Sequence, residues 1–180
     1  MLMDANESGL LVVDVQERLC PAVDDWQRVV DRVIWLVRLA RRLGVPVMAS
    51  EQYPKGLGPT HPDVLAELPA GIMGEKLHFS CAASGCLESF EANRKSQLVI
   101  CGMESHVCVL QTAMEFAALG RKVFLVADAV TSRNPQDKAL ALERMRRNGV
   151  EVVSAEMVAF EWLRKAGTEE FREISREFLR

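Results

Sequence analysis

Apolar residues follow two rhythms along this chain. Runs at 10–13, 45–49, 97–101 and 122–127 are short, mostly apolar and rich in β-branched residues, as strands covered on both faces should be. Between them, apolar positions recur every three or four residues. Trp26, Val29, Val30, Val33, Val37 and Ala40 make one face of a helix that Asp24 or Asp25 can cap and Gly44 ends. Val107, Leu110, Met114, Ala117 and Ala118 make a second, stopped by Gly120, and a third runs from Pro135 to Asn148 and Gly149. Weaker signals place a short helix at 62–68, a strand within 71–79 that holds Lys76, a helix at 83–93 and a strand at 151–154. The tail, 156–178, reads as helical with a break at Gly167, and the Gly- and Pro-rich stretch 51–62 as a loop.

Strands that alternate with helices predict an α/β fold: three layers, α/β/α, around a parallel sheet of six strands. Neither repeats nor a linker interrupt the pattern, so residues 1–180 read as one domain. In such sheets ligands bind beyond the carboxyl ends of the strands, where the strand order reverses.

A net charge of −3 argues against nucleic acid or an anionic membrane as partner. No apolar run has membrane-spanning length, and the first residues lack a basic region followed by an apolar one, so a cytoplasmic protein is expected. Five cysteines then read as reduced thiols rather than a disulfide framework. Cys81 and Cys86 have no second close ligand pair, which argues against zinc. Cys20, before a proline, and Cys101, in a strand, read as structural.

Cys108 stands apart. It follows a strand and the tight turn Gly102-Met103-Glu104-Ser105-His106 and opens a helix, where unpaired N–H groups favour negative charge and should acidify a thiol. Buried cysteines are ordinarily inert core residues; this one sits where a side chain projects from the sheet edge. Asp14 ends the first strand and Lys76 lies in the third, so three reactive residues fall near strand ends. An aspartate there also suits a cap, and a lone lysine suits the surface. His106 is too close to Cys108 on the same turn to serve as a dyad partner and reads as pocket lining. His61 and His78 share no ligand spacing.

Three segments together resemble the isochorismatase-like cysteine hydrolase family: Leu11-Val12-Val13-Asp14-Val15-Gln16; Lys76 with Phe79-Ser80; and Ile100-Cys101-Gly102-Met103-Glu104-Ser105-His106-Val107-Cys108-Val109. The likeness runs from Leu10 to about Ala159. The segment 51–60 further resembles the branch of uncharacterised isochorismatase-domain proteins. The resemblance implies a sheet in the Rossmann-like order 3-2-1-4-5-6, a Cys108–Asp14–Lys76 triad, and a cis peptide at Met103–Glu104. It implies hydrolysis of a small amide or related carbonyl compound through a thioester, with the backbone amides of Glu104 and Cys108 as the oxyanion hole. Gln16, Gln52, Tyr53, Phe79 and His106 are expected to contact substrate. Nicotinamidases of this family hold a metal through an Asp-x-His pair; Glu51-Gln52-Tyr53 stands there, so neither metal nor cofactor is expected. Isochorismatases proper lack the nucleophilic cysteine, which makes isochorismate a poor substrate candidate. The partners expected are a small-molecule substrate and further copies of the chain, a dimer or higher; the tail around Phe160, Trp162 and Leu163 suits such a contact, with packing on the chain's own sheet as the default. Two other readings stay open: a glyoxalase- or protease-like enzyme that pairs its cysteine with a glutamate, and a non-catalytic redox or interaction module.

Overall fold

The structure is a computed structural model and describes residues 1–179. Six strands form one sheet: β1 (Ser8–Val13), β2 (Val47–Gln52), β3 (Met73–Lys76), β4 (Gln97–Met103), β5 (Lys122–Thr131) and β6 (Glu151–Val153). Their order is β3-β2-β1-β4-β5-β6, every neighbouring pair parallel. The chain lays strands outward from β1 to β3, then returns to add β4 on the other side of β1. The order therefore reverses between β1 and β4, and a crevice opens beyond their carboxyl ends.

Alternation along the strands sorts the core into two halves. Leu10 and Val12 of β1, with Val99, Cys101 and Met103 of β4, pack under the long helix α1 (Trp26–Arg42). Leu11, Val13, Leu98 and Ile100 face the opposite layer. The apolar stripe read on α1 is the stripe it buries: Val29, Val30, Val33, Val37 and Ala40 all face the core. Asp25 precedes α1 without capping it. Its side chain pairs with Arg28 one turn on, and its backbone is left-handed (φ 49°).

Short elements depart from the sequence reading. The stretch read as loop holds the helix α2 (Pro54–Leu57), because β2 runs on to Gln52 and Tyr53 turns the chain in a left-handed conformation. A helix of one turn, α3 (Pro62–Leu65), follows. The helix expected over 83–93 is two single turns, α4 (Cys81–Ser84) and α5 (Glu91–Arg94), since Gly85 adopts a left-handed conformation (φ 67°) that ends the first. β5 runs to Thr131 because a register shift opposite Ile100 and Gly102 lets it continue beside β4.

The layers are completed by α6 (Cys108–Ala118) and α7 (Pro135–Arg147), then by α8 (Ala155–Leu163) and α9 (Glu169–Phe178). Of the tail residues proposed as a contact surface, Trp162 and Leu163 are buried in the chain's own core, and the Trp162 indole N–H donates to Ser8 Oγ (3.0 Å). Phe160 alone stays half exposed, beside Phe171.

The β1–β4 contact beneath the crevice tolerates no side chain at Gly102. Its φ is 122°, and a Cβ there would lie 2.0 Å from the Val13 carbonyl oxygen. Gly44 has φ 70° and open space around it. Gly102→Ala is expected to cost about 3 kcal/mol or more, strain and overpacking together. Gly44→Ala is expected to cost about 1 kcal/mol, from backbone strain alone. Urea denaturation of the two variants checks the contrast, and equal losses would contradict it.

Candidate active site

The carboxyl ends of β1, β2 and β3 deliver one buried polar cluster. Asp14 follows β1 with a left-handed backbone (φ 49°) and is wholly shielded from solvent. Its N–H donates to the Ser50 carbonyl (3.1 Å), and its own carbonyl accepts from Gln16 N–H (2.9 Å). The carboxylate accepts from Ser50 Oγ on one oxygen (2.7 Å) and from Lys76 Nζ on the other (2.7 Å). Lys76 Nζ also donates to Gln52 Oε1 (2.8 Å), and no part of its side chain reaches solvent. Burial pulls the Lys76 ammonium down more than any single neighbour raises it, but the Asp14 charge and hydrogen bond, together with Cys108 and Cys81, outweigh burial and hold the group above its ordinary value.

Cys108 enters from the other side of the crevice as the first residue of α6. It is 6% exposed, and its Sγ stands 3.9 Å from Gln52 Oε1. Gln52 thus touches both the ammonium and the sulfur. The expectation of an acidified thiol is overturned. Burial first, and the Asp14 carboxylate second, push Cys108 well above the usual thiol range, against a smaller opposite pull from Lys76. The resting group is a neutral thiol.

The turn before Cys108 is anchored at several points. The peptide bond from Met103 to Glu104 is cis. Glu104 is buried, and its carboxylate accepts from the Arg133 backbone N–H (2.9 Å), Nε (3.1 Å) and Nη2 (2.7 Å). Ser105 N–H donates to the Thr131 carbonyl (2.8 Å), and His106 Nδ1 lies 2.9 Å from Ser132 Oγ. Among the described residues, the amides of Glu104 and Cys108 donate to no backbone or side-chain acceptor.

The other expected contact residues divide. Gln52 belongs to the cluster, and its amide also donates to the Leu77 carbonyl (2.9 Å). Tyr53 and Phe79 are half exposed, and Tyr53 lines a cleft of about 370 Å³ with Pro54, Lys55, Glu75, Lys76 and Leu77. His106 is half-buried on the anchored turn. Gln16 is a correction. It is fully buried and spent on structure, donating to the carbonyls of Gln52 (3.0 Å) and Gly58 (2.7 Å) and accepting from the Gln52 N–H (2.8 Å). It ties the 51–60 segment to β1.

Two residues escaped the sequence reading. Ser50, one position past the apolar run of β2, holds Asp14. Ser105, completely buried in the turn before Cys108, has an Oγ with no hydrogen-bond partner. A serine carries no periodic signal, so neither stood out.

The buried ion pair dominates local stability. Lys76→Met leaves the Asp14 carboxylate with Ser50 alone and is expected to cost about 3–5 kcal/mol. Asp14→Asn combined with Lys76→Met should recover part of that loss in urea denaturation, since no unpaired charge remains. Glu104 allows a pH test. Burial alone raises its carboxyl, but the Arg133 hydrogen bonds and charge outweigh it and hold the group below its ordinary value. A depressed acid stabilises the fold above its unfolded pKa and loses that contribution as pH falls through the folded one. Arg133→Ala, which removes a largely exposed partner, is expected to cost about 1 kcal/mol at pH 7. That gap should close below about pH 4 when urea midpoints of both proteins are followed downward in pH.

The chain is similar to known proteins over nearly its whole length. A family model for the isochorismatase domain matches residues 8–157. Isochorismatase domain-containing protein 2 of Danio rerio is 36% identical over 179 residues, covering 97% of this chain and 88% of the relative. The MAR1 ribonuclease structure from Caenorhabditis elegans superposes with a TM-score of 0.92 at 28% identity, covering 100% of this chain and 93% of the other. YcaC from Pseudomonas aeruginosa, solved with hexane-2,5-diol and covalent acrylamide, gives 0.89 at 25% identity, covering 99% and 92%. By sequence, by fold and by the extent of both matches, the chain belongs to the isochorismatase domain family.

Proposed function

We propose that this protein is a cysteine hydrolase that cleaves a small amide or related carbonyl compound through a thioester on Cys108. The observation that carries the reading is the contiguous buried path from Asp14 through Lys76 and Gln52 to the sulfur. Asp14 takes the thiol proton as the sulfur attacks the carbonyl carbon. The oxyanion forms beside the backbone amides of Glu104 and Cys108, and loss of one such donor typically costs about 3 kcal/mol in the transition state. Asp14 returns the proton to the leaving amine, then activates water against the thioester. Lys76 supplies a fixed positive charge hydrogen-bonded to that carboxylate.

Supporting the nucleophile, a relative at 25% identity, YcaC from Pseudomonas aeruginosa, was captured with acrylamide attached covalently. A glyoxalase-like pairing of cysteine with glutamate has less support, because Glu104, the glutamate nearest in sequence, is committed to Arg133. Tyr53, Phe79 and His106 are the proposed substrate contacts. In the same reading the enzyme works in the cytoplasm as a homo-oligomer, with the half-exposed Met157 and Phe160 of α8 as contact surface.

The test is a panel of amides, carbamoyl compounds and esters, scored for release of ammonia or acid. Cys108→Ala is expected to abolish turnover. Asp14→Asn separates base from electrostatics. It removes the negative charge that disfavours the thiolate while Lys76 remains, so alkylation of Cys108 by iodoacetamide at pH 8 should speed up several-fold as turnover disappears. Turnover that survives Asp14→Asn would remove Asp14 as the base.

A further inference from the structure

A second cavity lies in the layer that α4, α5 and α6 form on one face of the sheet. It holds about 290 Å³, near the lower end of small-molecule pockets, and its lining includes Cys81, Leu87, Glu88, Asn93, Phe116 and Arg121. None of Asp14, Lys76 and Cys108 lines it. Phe116 follows Cys108 by about two turns of α6, away from the crevice at the sheet's carboxyl edge.

Packing of the protein's own elements shapes this cavity. The Cys81 N–H donates to Thr112 Oγ1 (3.0 Å) and joins α4 to α6. α5 is pressed on β1, where a Cβ at Gly9 would lie 2.3 Å from the Ala92 carbonyl oxygen. The Arg121 N–H donates to the Phe116 carbonyl (3.1 Å), which holds the chain against the end of α6.

Three polar groups on the walls have binding capacity to spare. Arg121 is half-buried, its guanidinium carbon 5.8 Å from the centre of the Phe116 ring, and its Nη2 donates to the Lys95 carbonyl. Burial shifts this group downward, with no carboxylate to offset it. Glu88, exposed at the rim, folds over Gly85, where its Oε1 lies 3.1 Å from the position of a Cβ. Arg121 and Glu88 form no ion pair with each other, nor with any other charged group among the described residues. Asn93 Oδ1 is buried without a hydrogen-bond partner, which is costly until a donor reaches it.

We propose that this cavity is a binding site for a free apolar amino acid. The carboxylate meets Arg121, the ammonium meets Glu88 and Asn93 Oδ1, and the side chain lies against Leu87 and Phe116. A guanidinium fork matches a planar carboxylate. An ammonium has three donors, enough for two acceptors at once. Walls of opposite charge, unpaired with each other, favour a guest that carries both signs. A simple carboxylic acid leaves Asn93 Oδ1 unfilled, and a simple amine leaves Arg121 without an anion.

Equilibrium dialysis of the full chain with labelled L-leucine tests this. L-Leucine is expected to bind with a millimolar or tighter dissociation constant. In competition, isocaproate, which lacks the ammonium, and isoamylamine, which lacks the carboxylate, should each bind roughly tenfold more weakly or worse. Glu88→Gln and Arg121→Gln should each weaken leucine by a similar factor. Arg121 also holds the Lys95 carbonyl, so Glu88→Gln, at an exposed side chain, supplies the variant whose fold is not in question. Cys108→Ala is expected to leave leucine binding unchanged, which keeps this test apart from that of the hydrolase reading. No binding at millimolar leucine overturns the proposal. So does isocaproate binding as tightly as leucine, or a leucine affinity that Cys108→Ala lowers while both glutamine variants leave it untouched.

Discussion

An ammonium and a carboxylate, both sealed from water, organise this end of the sheet. Removing the two charges from solvent costs several kcal/mol each, and attraction between them offsets that only where the remaining hydrogen-bonding capacity is filled. Ser50 fills it for Asp14 and Gln52 for Lys76, so four residues from three neighbouring strands must arrive together. The strand register meets the demand. Val13 lies opposite Ser50 and Gln52 opposite Lys76. A slip of one residue in β3 would turn Lys76 to the other face and leave Asp14 unpaired. Gln16 adds a further tie from β1 to the Gln52 backbone.

Burial, more than that pair, decides the state of Cys108. A helix start favours an anion by about 1 kcal/mol, less than one pKa unit, whereas burial of a group in a low-dielectric site shifts it by as much as three to five. Cys108 has both influences, and burial wins, with the Asp14 charge added to it. Cys108 therefore rests as a neutral thiol despite its place at a helix start.

The parts visible in the sequence were those with a period or an unusual side chain. All six strands and the long helices show as apolar runs and stripes, and Asp14, Lys76 and Cys108 show as reactive types at strand ends. Short elements did not. Gly85 cuts an apparent helix in two, a cut that depends on a single φ angle, and α2 hides in a stretch whose Gly and Pro content reads as loop. Roles set by distant backbone were equally hidden. Gln16 stands in a suggestive motif, yet its amide is consumed by carbonyls of β2 and of Gly58. Ser50 looks like an ordinary strand residue until Asp14 folds against it. The apolar tail could be read as packing on the sheet or as a contact surface; it packs on the sheet, with Trp162 reaching Ser8, a partner nothing local reveals.

Five cysteines in one short chain show how far environment, rather than residue type, sets chemistry. Cys101, enclosed in β4, is driven up by burial alone and has no charged neighbour to use. Cys20, in its turn under the core, is pushed up to about 11 by burial. Cys108 is raised too, by burial first and by the Asp14 charge second. Cys86 alone is lowered, by Cys81 first, with Lys76 a smaller influence. One lysine thus acts on two sulfurs of opposite character. Gly74, the second residue of β3 and opposite Ser50 in register, leaves room for Cys86 to lie against the strand that ends in Lys76, where a Cβ would meet the Cys86 backbone.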